Sequence, residues 1–143
     1  MKESAVITVP SSPRYLSLVR AVTASMAEFY GMSDREREEV RLAVDEACTN
    51  VIKYAYKGNG NRKIVVKYFI SDSFEVVIED TGLKAHPESI KGRSLDDVRP
   101  GGLGIHFIKR IFDVFAFDPE KKRGNRLRLI RYRREEDENC NKR

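Results

Sequence analysis

"AVDEACTNVIKYAY", Ala43 to Tyr56, places an acid and an amide one helical turn apart in a segment otherwise rich in small and apolar residues. The i, i+4 spacing of Glu46 and Asn50 stacks both side chains on one helix face, and Ala43 and Ala47 leave room beside them. An asparagine carbonyl oxygen suits a hard cation such as Mg²⁺, which keeps waters and phosphates as its other ligands. A glutamate there can take a proton or orient a water. The same pair also fits a solvated polar edge, so its meaning depends on the segments around it.

Ser33-Asp34-Arg35-Glu36 has the S-x-x-E form of a capping box and predicts a helix start. The helix can run to about Tyr56, with Val40, Val44, Ala47 and Val51 as its apolar row and "KGNGN" (57–61) as its stop. Upstream, "SAVITV" (4–9) reads as a strand ending at Pro10. Ser12-Pro13 reads as an N-cap with proline at the first helical position, and Leu16, Val19, Val22, Met26 and Phe29 form an amphipathic row that closes near Gly31. Downstream, "KIVVKYFI" (63–70) and "FEVVIED" (74–80) flank a hairpin-length Ser71-Asp72-Ser73. The pattern then disappears from Thr81 to Pro100, a stretch of glycine, proline and basic residues. Loops of that length in a compact domain are usually functional or disordered. "GGLGIHFIKRIFD" opens a glycine-led helix whose apolar face is Ile105, Ile108, Ile111 and Phe112. Strands "VFAF" and "RLRLIRY" follow, separated by a charged turn from Asp118 to Asn125. The order β-α-α-β-β-loop-α-β-β predicts an α+β sandwich with a mixed, mostly antiparallel sheet and helices on one face.

The chain of 143 residues fits one domain, residues 1–134, followed by a charged tail, 135–143. Its formal net charge of +5 favours anionic partners without choosing among them, and equally fits a basic solvated surface. Cys48 lies in an apolar helical pattern and Cys140 in the tail. Neither has a CxxC or His/Cys context, which fits a reduced, cytoplasmic setting. No signal-peptide pattern opens the chain, and no apolar run reaches the length of a membrane span. His86 and His106 are isolated and suggest no metal site. The "RLRLIRYRR" run lacks the aromatic interleaving of a base-stacking groove, so no direct nucleic-acid contact is expected.

Two further stretches carry chemistry. In "VVIEDTG" (76–82) an apolar strand ends in Asp80, whose carboxylate can accept from an exocyclic amine such as adenine's, and Gly82 lets backbone approach a planar ring. An ordinary Asp-Thr-Gly turn has the same composition. In "RPGGLGIHFIKR" (99–110), Gly101, Gly102, Leu103 and Gly104 lead into a helix whose free amides and positive end suit phosphate. It is neither a Rossmann fingerprint nor a Walker A motif, because G-x-G-x-x-G and the Lys-Ser/Thr pair are missing.

Taken in order, E-x-x-x-N on a helix, D-x-G at a strand end, a long loop and a glycine-opened helix resemble the N, G1 and G2 boxes of the GHKL superfamily. That superfamily includes the ATP-binding (Bergerat-fold) domains of gyrase, Hsp90, histidine kinases and MutL. Within it, "DEACTNVIKYAYKG" and "RPGGLGIHFIKRIFDVF" are most similar to the anti-sigma factor serine kinases of the RsbW and SpoIIAB type. The resemblance implies a catalytic base at Glu46, a Mg²⁺ ligand at Asn50 and an adenine-binding Asp80 with Gly82 beside the ring. It also implies backbone amides of Gly102 and Gly104 at the phosphates, an ATP lid from Thr81 to Pro100, and Arg99 at the terminal phosphate. It further implies phosphorylation of a STAS-type anti-sigma factor antagonist on serine, binding of a sigma factor, and a homodimer using the first strand and helix. Two rival readings are an ATP-binding partner-switch module without kinase activity and a domain related to histidine kinases. Three positions depart from the family pattern. Lys84 stands where D-x-G-x-G has its second glycine, Asn125 stands where threonine commonly follows the last glycine, and Tyr54 stands where histidine is frequent.

Overall fold

A computed structural model describes residues 3–85 and 102–134. The strands are β1 (Glu3–Pro10), β2 (Lys63–Ile70), β3 (Ser73–Asp80), β4 (Val114–Phe117) and β5 (Asn125–Tyr132). The helices are α1 (Leu16–Tyr30), α2 (Asp34–Asn50) and α3 (Gly102–Ile111). A 3₁₀ turn (Pro13–Tyr15) precedes α1, and a π-helical turn (Val51–Ala55) continues α2. The sheet order is β1-β2-β3-β5-β4, and all four pairings are antiparallel.

Strict alternation decides which face the helices cover. Ile64, Val66, Tyr68 and Ile70 of β2 are buried. They align through the register with Phe74, Val76 and Ile78 of β3 and with Leu127 and Leu129 of β5. These residues form one core with Val19 and Met26 of α1, Val40, Val44 and Ala47 of α2, and Ile108 and Ile111 of α3. The opposite face mixes apolar residues with charge pairs. Glu79 pairs with Lys67 at 2.7 Å and Arg126 at 3.0 Å, and Arg128 pairs with Glu75 at 3.1 Å. Burial pushes the Glu79 carboxyl up, but Lys67 and Arg126 outweigh that and hold it below its ordinary value.

The helix termini differ from their sequence readings in three places. Ser12 makes no side-chain cap, and the turn is closed instead by Tyr15 N–H donating to Ser12 O at 3.0 Å. Phe29 does not belong to the apolar row: it is 66% exposed, and Tyr30 takes the inward place. The row Leu16, Val19, Thr23, Met26, Tyr30 repeats every three and four residues, which leaves Phe29 about 100° away from it. Gly31 closes α1 at φ 100°, as its left-handed C-cap role requires. Ser33 does cap α2, accepting from Glu36 N–H at 3.2 Å, but the Glu36 side chain does not return to Ser33. It is buried against the Arg131 guanidinium. The ion pair replaces the second half of the capping box because it joins two charges that share the dry side of the sheet.

Candidate functional site

The first motif keeps its helical geometry. Glu46 and Asn50 are half-buried on α2, between buried Ala43 and Ala47. Neither polar side chain has a hydrogen-bond partner among the described residues. Just after Asn50 the helix widens into the π turn, closed by Tyr56 N–H donating to Val51 O at 3.0 Å. Such single turns recur at functional sites. Here the widening leaves the Ala55 carbonyl free to accept from Leu83 N–H at 2.8 Å.

That bond brings the second motif to the same helix. Gly82 lies so close to α2's extension that a Cβ on it would stand 2.3 Å from Ala55 O. The third motif packs against the other end of the segment. A Cβ on Gly104 would stand 2.0 Å from Glu46 Oε1 and 2.5 Å from its Cδ. Two glycines from distant boxes thus lie against α2 and its extension, at Ala55 and at Glu46. Those contacts are roughly 13 Å apart at 1.5 Å rise per residue.

Asp80 forms the floor at the Gly82 end. It is 3% exposed, and its Oδ1 accepts from Gly82 N–H at 2.9 Å and from Asn125 Nδ2 at 3.1 Å. Burial pushes its carboxyl above the ordinary value, and the Gly82 and Asn125 hydrogen bonds pull the other way. Gly124, at φ +74°, passes so near that a Cβ would stand 2.0 Å from Asp80 O. Thr81 is fixed beside it, its N–H donating to the Tyr56 hydroxyl at 2.9 Å and its Oγ1 accepting from Arg62 at 2.7 Å.

Mg²⁺ fits this site as an ion carried by phosphates rather than as a resident ion. Asn50 offers one neutral oxygen, and no group of three or more His, Cys, Asp or Glu that could hold a metal occurs among the described residues.

Of the sequence-derived site residues, the structure therefore brings Gly104 to Glu46, and Gly82, two residues after Asp80, to Ala55, with Asn50 between those two contacts along the helical segment. Gly102 and Leu103 lie in the first turn of α3. Arg99, Gly101 and most of the Thr81 to Pro100 segment lie outside the described residues, as does the 135–143 tail. Lys84 needs no left-handed backbone, because Lys57 is the non-glycine residue with positive φ among those described. Cys48 is buried with its thiol pushed up to about 12, so it is a core residue and not a nucleophile. Sequence reasoning did not assign Tyr56 or Arg62 to the site, and it marked Asn125 only as a departure from the family's threonine. Asn125 reaches Asp80 only through the β3–β5 register, a pairing of residues 45 positions apart. Its visible signal is the preceding Gly124.

Comparison with known proteins agrees with this arrangement. Residues 9–131 match the family described as histidine kinase-like ATPase domain. The serine-protein kinases RsbW of Staphylococcus aureus strains JH9 and Newman are each 31% identical over 138 residues, covering 90% of this chain and 86% of theirs. Among solved structures, the histidine kinase domain from the Erythrobacter litoralis EL346 blue-light activated histidine kinase aligns with a TM-score of 0.53 at 12% identity. That alignment covers 90% of this chain and 64% of the kinase chain, and at that identity the likeness is one of fold. No helix among the described residues is long and apolar enough to cross a membrane.

Proposed function

We propose, from the premise that this chain belongs to the histidine kinase-like ATPase family and is a homologue of RsbW serine-protein kinases, that it transfers phosphate from ATP to a serine hydroxyl. The acceptor is an anti-sigma factor antagonist of the STAS type, and the same domain, residues 1–134, sequesters a sigma factor in the cytoplasm. α1 and β1 supply part of a homodimer and sigma-binding surface. The observation that carries the kinase reading is the seat of Glu46 on Gly104. It holds a carboxylate with no hydrogen-bond partner among the described residues against the helix start where phosphates would bind.

Asp80 accepts from the adenine amine, and Gly82 gives the ring room. The amides of Gly102 and Gly104 face the phosphates at the positive end of α3, with Gly101, Leu103 and Arg99 flanking them. Glu46 takes the serine proton as the serine oxygen bonds to the γ-phosphorus and the bond to the β,γ-bridging oxygen breaks, releasing ADP. Asn50 is the protein ligand for Mg²⁺, which when bound neutralises charge on the transferring phosphates.

The test is nucleotide titration beside a radiolabelled transfer assay on a STAS acceptor. Glu46→Gln should bind Mg·ATP like wild type and lose transfer, whereas Asn50→Ala should bind it at least about tenfold more weakly. A Glu46→Gln protein that phosphorylates as fast as wild type removes Glu46 from the role of base. ATP binding without transfer by the wild type would favour a partner-switch module.

A further inference from the structure

Asn125 opens β5 directly across from Asp80, and both are buried. Its Nδ2 donates to Leu83 O at 2.8 Å and, between them, to Asp80 Oδ1 at 3.1 Å and Oδ2 at 3.3 Å. Its Oδ1 accepts from Ala85 N–H at 2.9 Å. The Leu83 carbonyl requires a donor and the Ala85 amide an acceptor, so these neighbours fix which way the carboxamide points. A carbonyl and an amide two residues apart are what an adjoining antiparallel strand would engage. The carboxamide bridges the backbone on either side of Lys84, and the backbone at Lys84 is held there in an ordinary conformation.

This arrangement has a consequence for the pocket floor. Both Nδ2 protons are engaged, one by Leu83 and one by the carboxylate, so Asn125 has no donor left for a base. Asp80 Oδ1 is also engaged by Gly82 N–H at 2.9 Å. Oδ2 has the long contact to Asn125 and spare acceptor capacity. We propose that Asn125 is a positioning residue for base selection: it fixes Asp80 so that the floor presents an acceptor, takes a 6-amino purine and refuses a 6-oxo purine. An exocyclic amine satisfies Oδ2. A ring carbonyl in its place sets two acceptors against each other in a buried site, which such sites reject strongly. Without the Asn125 donors, a carboxylate already disfavoured by burial gains a proton more readily, and a protonated Asp80 can donate to a carbonyl. Asn125 therefore governs discrimination more than triphosphate affinity. The inference rests on the ATP-binding reading above.

Inosine triphosphate is the suitable probe, because it carries a carbonyl where ATP carries the amine. Calorimetric titration of wild type, Asn125→Leu and Asn125→Thr with the Mg²⁺ complexes of ATP and inosine triphosphate reads the ratio of affinities. Wild type should prefer ATP by about 100-fold or more. Asn125→Leu should lower the ratio about tenfold, and Asn125→Thr, which keeps one donor toward Asp80, about threefold. If the leucine variant does not fold, the threonine variant carries the test alone. A ratio within about twofold of wild type in a folded variant, with both nucleotides weakened equally, overturns the inference and leaves Asn125 a structural residue. A wild type that binds neither nucleotide overturns the ATP-binding reading with it. A wild type that prefers ATP while the variants keep the ratio overturns the base-selection role alone.

Discussion

The Glu46 carboxylate lies directly on the Cα of Gly104, so that a methyl group there would stand 2.0 Å from Oε1. Each atom such a methyl would meet belongs to the outer part of a flexible side chain, so the fold can yield at little expense while the carboxylate cannot stay in place. Gly104→Ala should unfold within about 1 kcal/mol of wild type, helped by alanine's helix propensity. Phosphotransfer should nevertheless fall at least about 100-fold, since displacement of a reacting group by about 1 Å has that effect. Denaturant unfolding and single-turnover transfer, measured on one preparation, separate the two. Full activity in Gly104→Ala would show that the contact does not set the position of the base.

At the opposite end of the segment the same substitution meets backbone. A Cβ on Gly82 would stand 2.3 Å from Ala55 O and 2.6 Å from its carbonyl carbon, and neither atom can swing aside. Gly82→Ala should break the Leu83 N–H to Ala55 O bond and separate β3's end from the π turn. The expected loss is about 2 kcal/mol or more of stability together with nucleotide affinity. Thermal unfolding with and without ATP checks this: an unshifted midpoint in the absence of nucleotide would contradict the close approach.

The elements that could be read from the sequence are those whose signal is local. α2 shows its 3.6-residue period and its Ser33 cap, the helical segment stops before Lys57–Asn61, and β2 alternates. Glu46, Asn50, Asp80 and Gly104 sit in motifs short enough to read one at a time. What remained hidden depends on pairing between distant segments. Glu36 looks like half of a capping box because Arg131, its partner 95 residues on, arrives only through the sheet. Asn125 looks like a turn residue until the β3–β5 register sets it opposite Asp80. The π turn has no sequence signal in "VIKYA" and is evident only from the Ala55 carbonyl it delivers to Leu83.

Asp80 should trade stability for recognition. Burial raises its folded-state carboxyl above the unfolded value of about 3.9, so the folded protein binds that proton more tightly. Its contribution to stability is then fully present below the unfolded value and is lost as pH rises through the raised folded value. Asp80→Asn keeps an oxygen for Gly82 N–H and Asn125 Nδ2 and removes this dependence. Its midpoint without nucleotide at about pH 7 should equal or exceed that of wild type, and its advantage should vanish toward about pH 4. Mg·ATP binding should be lost at every pH, while in wild type it should weaken as pH falls through the folded value. Thermal scans and titrations across that range test both halves. A variant less stable than wild type at about pH 7 would mean that the hydrogen bonds to the ionised form outweigh burial.

The pair that ties the helices together should behave as a buried charge pair. Arg131 is 2% and Glu36 4% exposed; the guanidinium meets the Glu36 carboxylate and also donates to Ile111 O at 2.8 Å. Glu36 lies in the first turn of α2 and Ile111 ends α3, so a single arginine joins an acid at one helix's positive end to the carbonyl at another's negative end. Removing the acid alone takes the Glu36 carboxylate from a buried cation, and Glu36→Gln should cost about 3–5 kcal/mol. Glu36→Leu with Arg131→Met removes both charges at similar volume and should recover most of that loss. The recovered protein would still lack the tie to Ile111, so α3 and its Gly104 would be held less firmly against Glu46. Its stability should therefore approach wild type while its transfer rate stays at least about tenfold lower. Denaturant unfolding and transfer assays on the single and double variants decide the matter, and a double variant with wild-type activity would confine the pair to stabilising the fold.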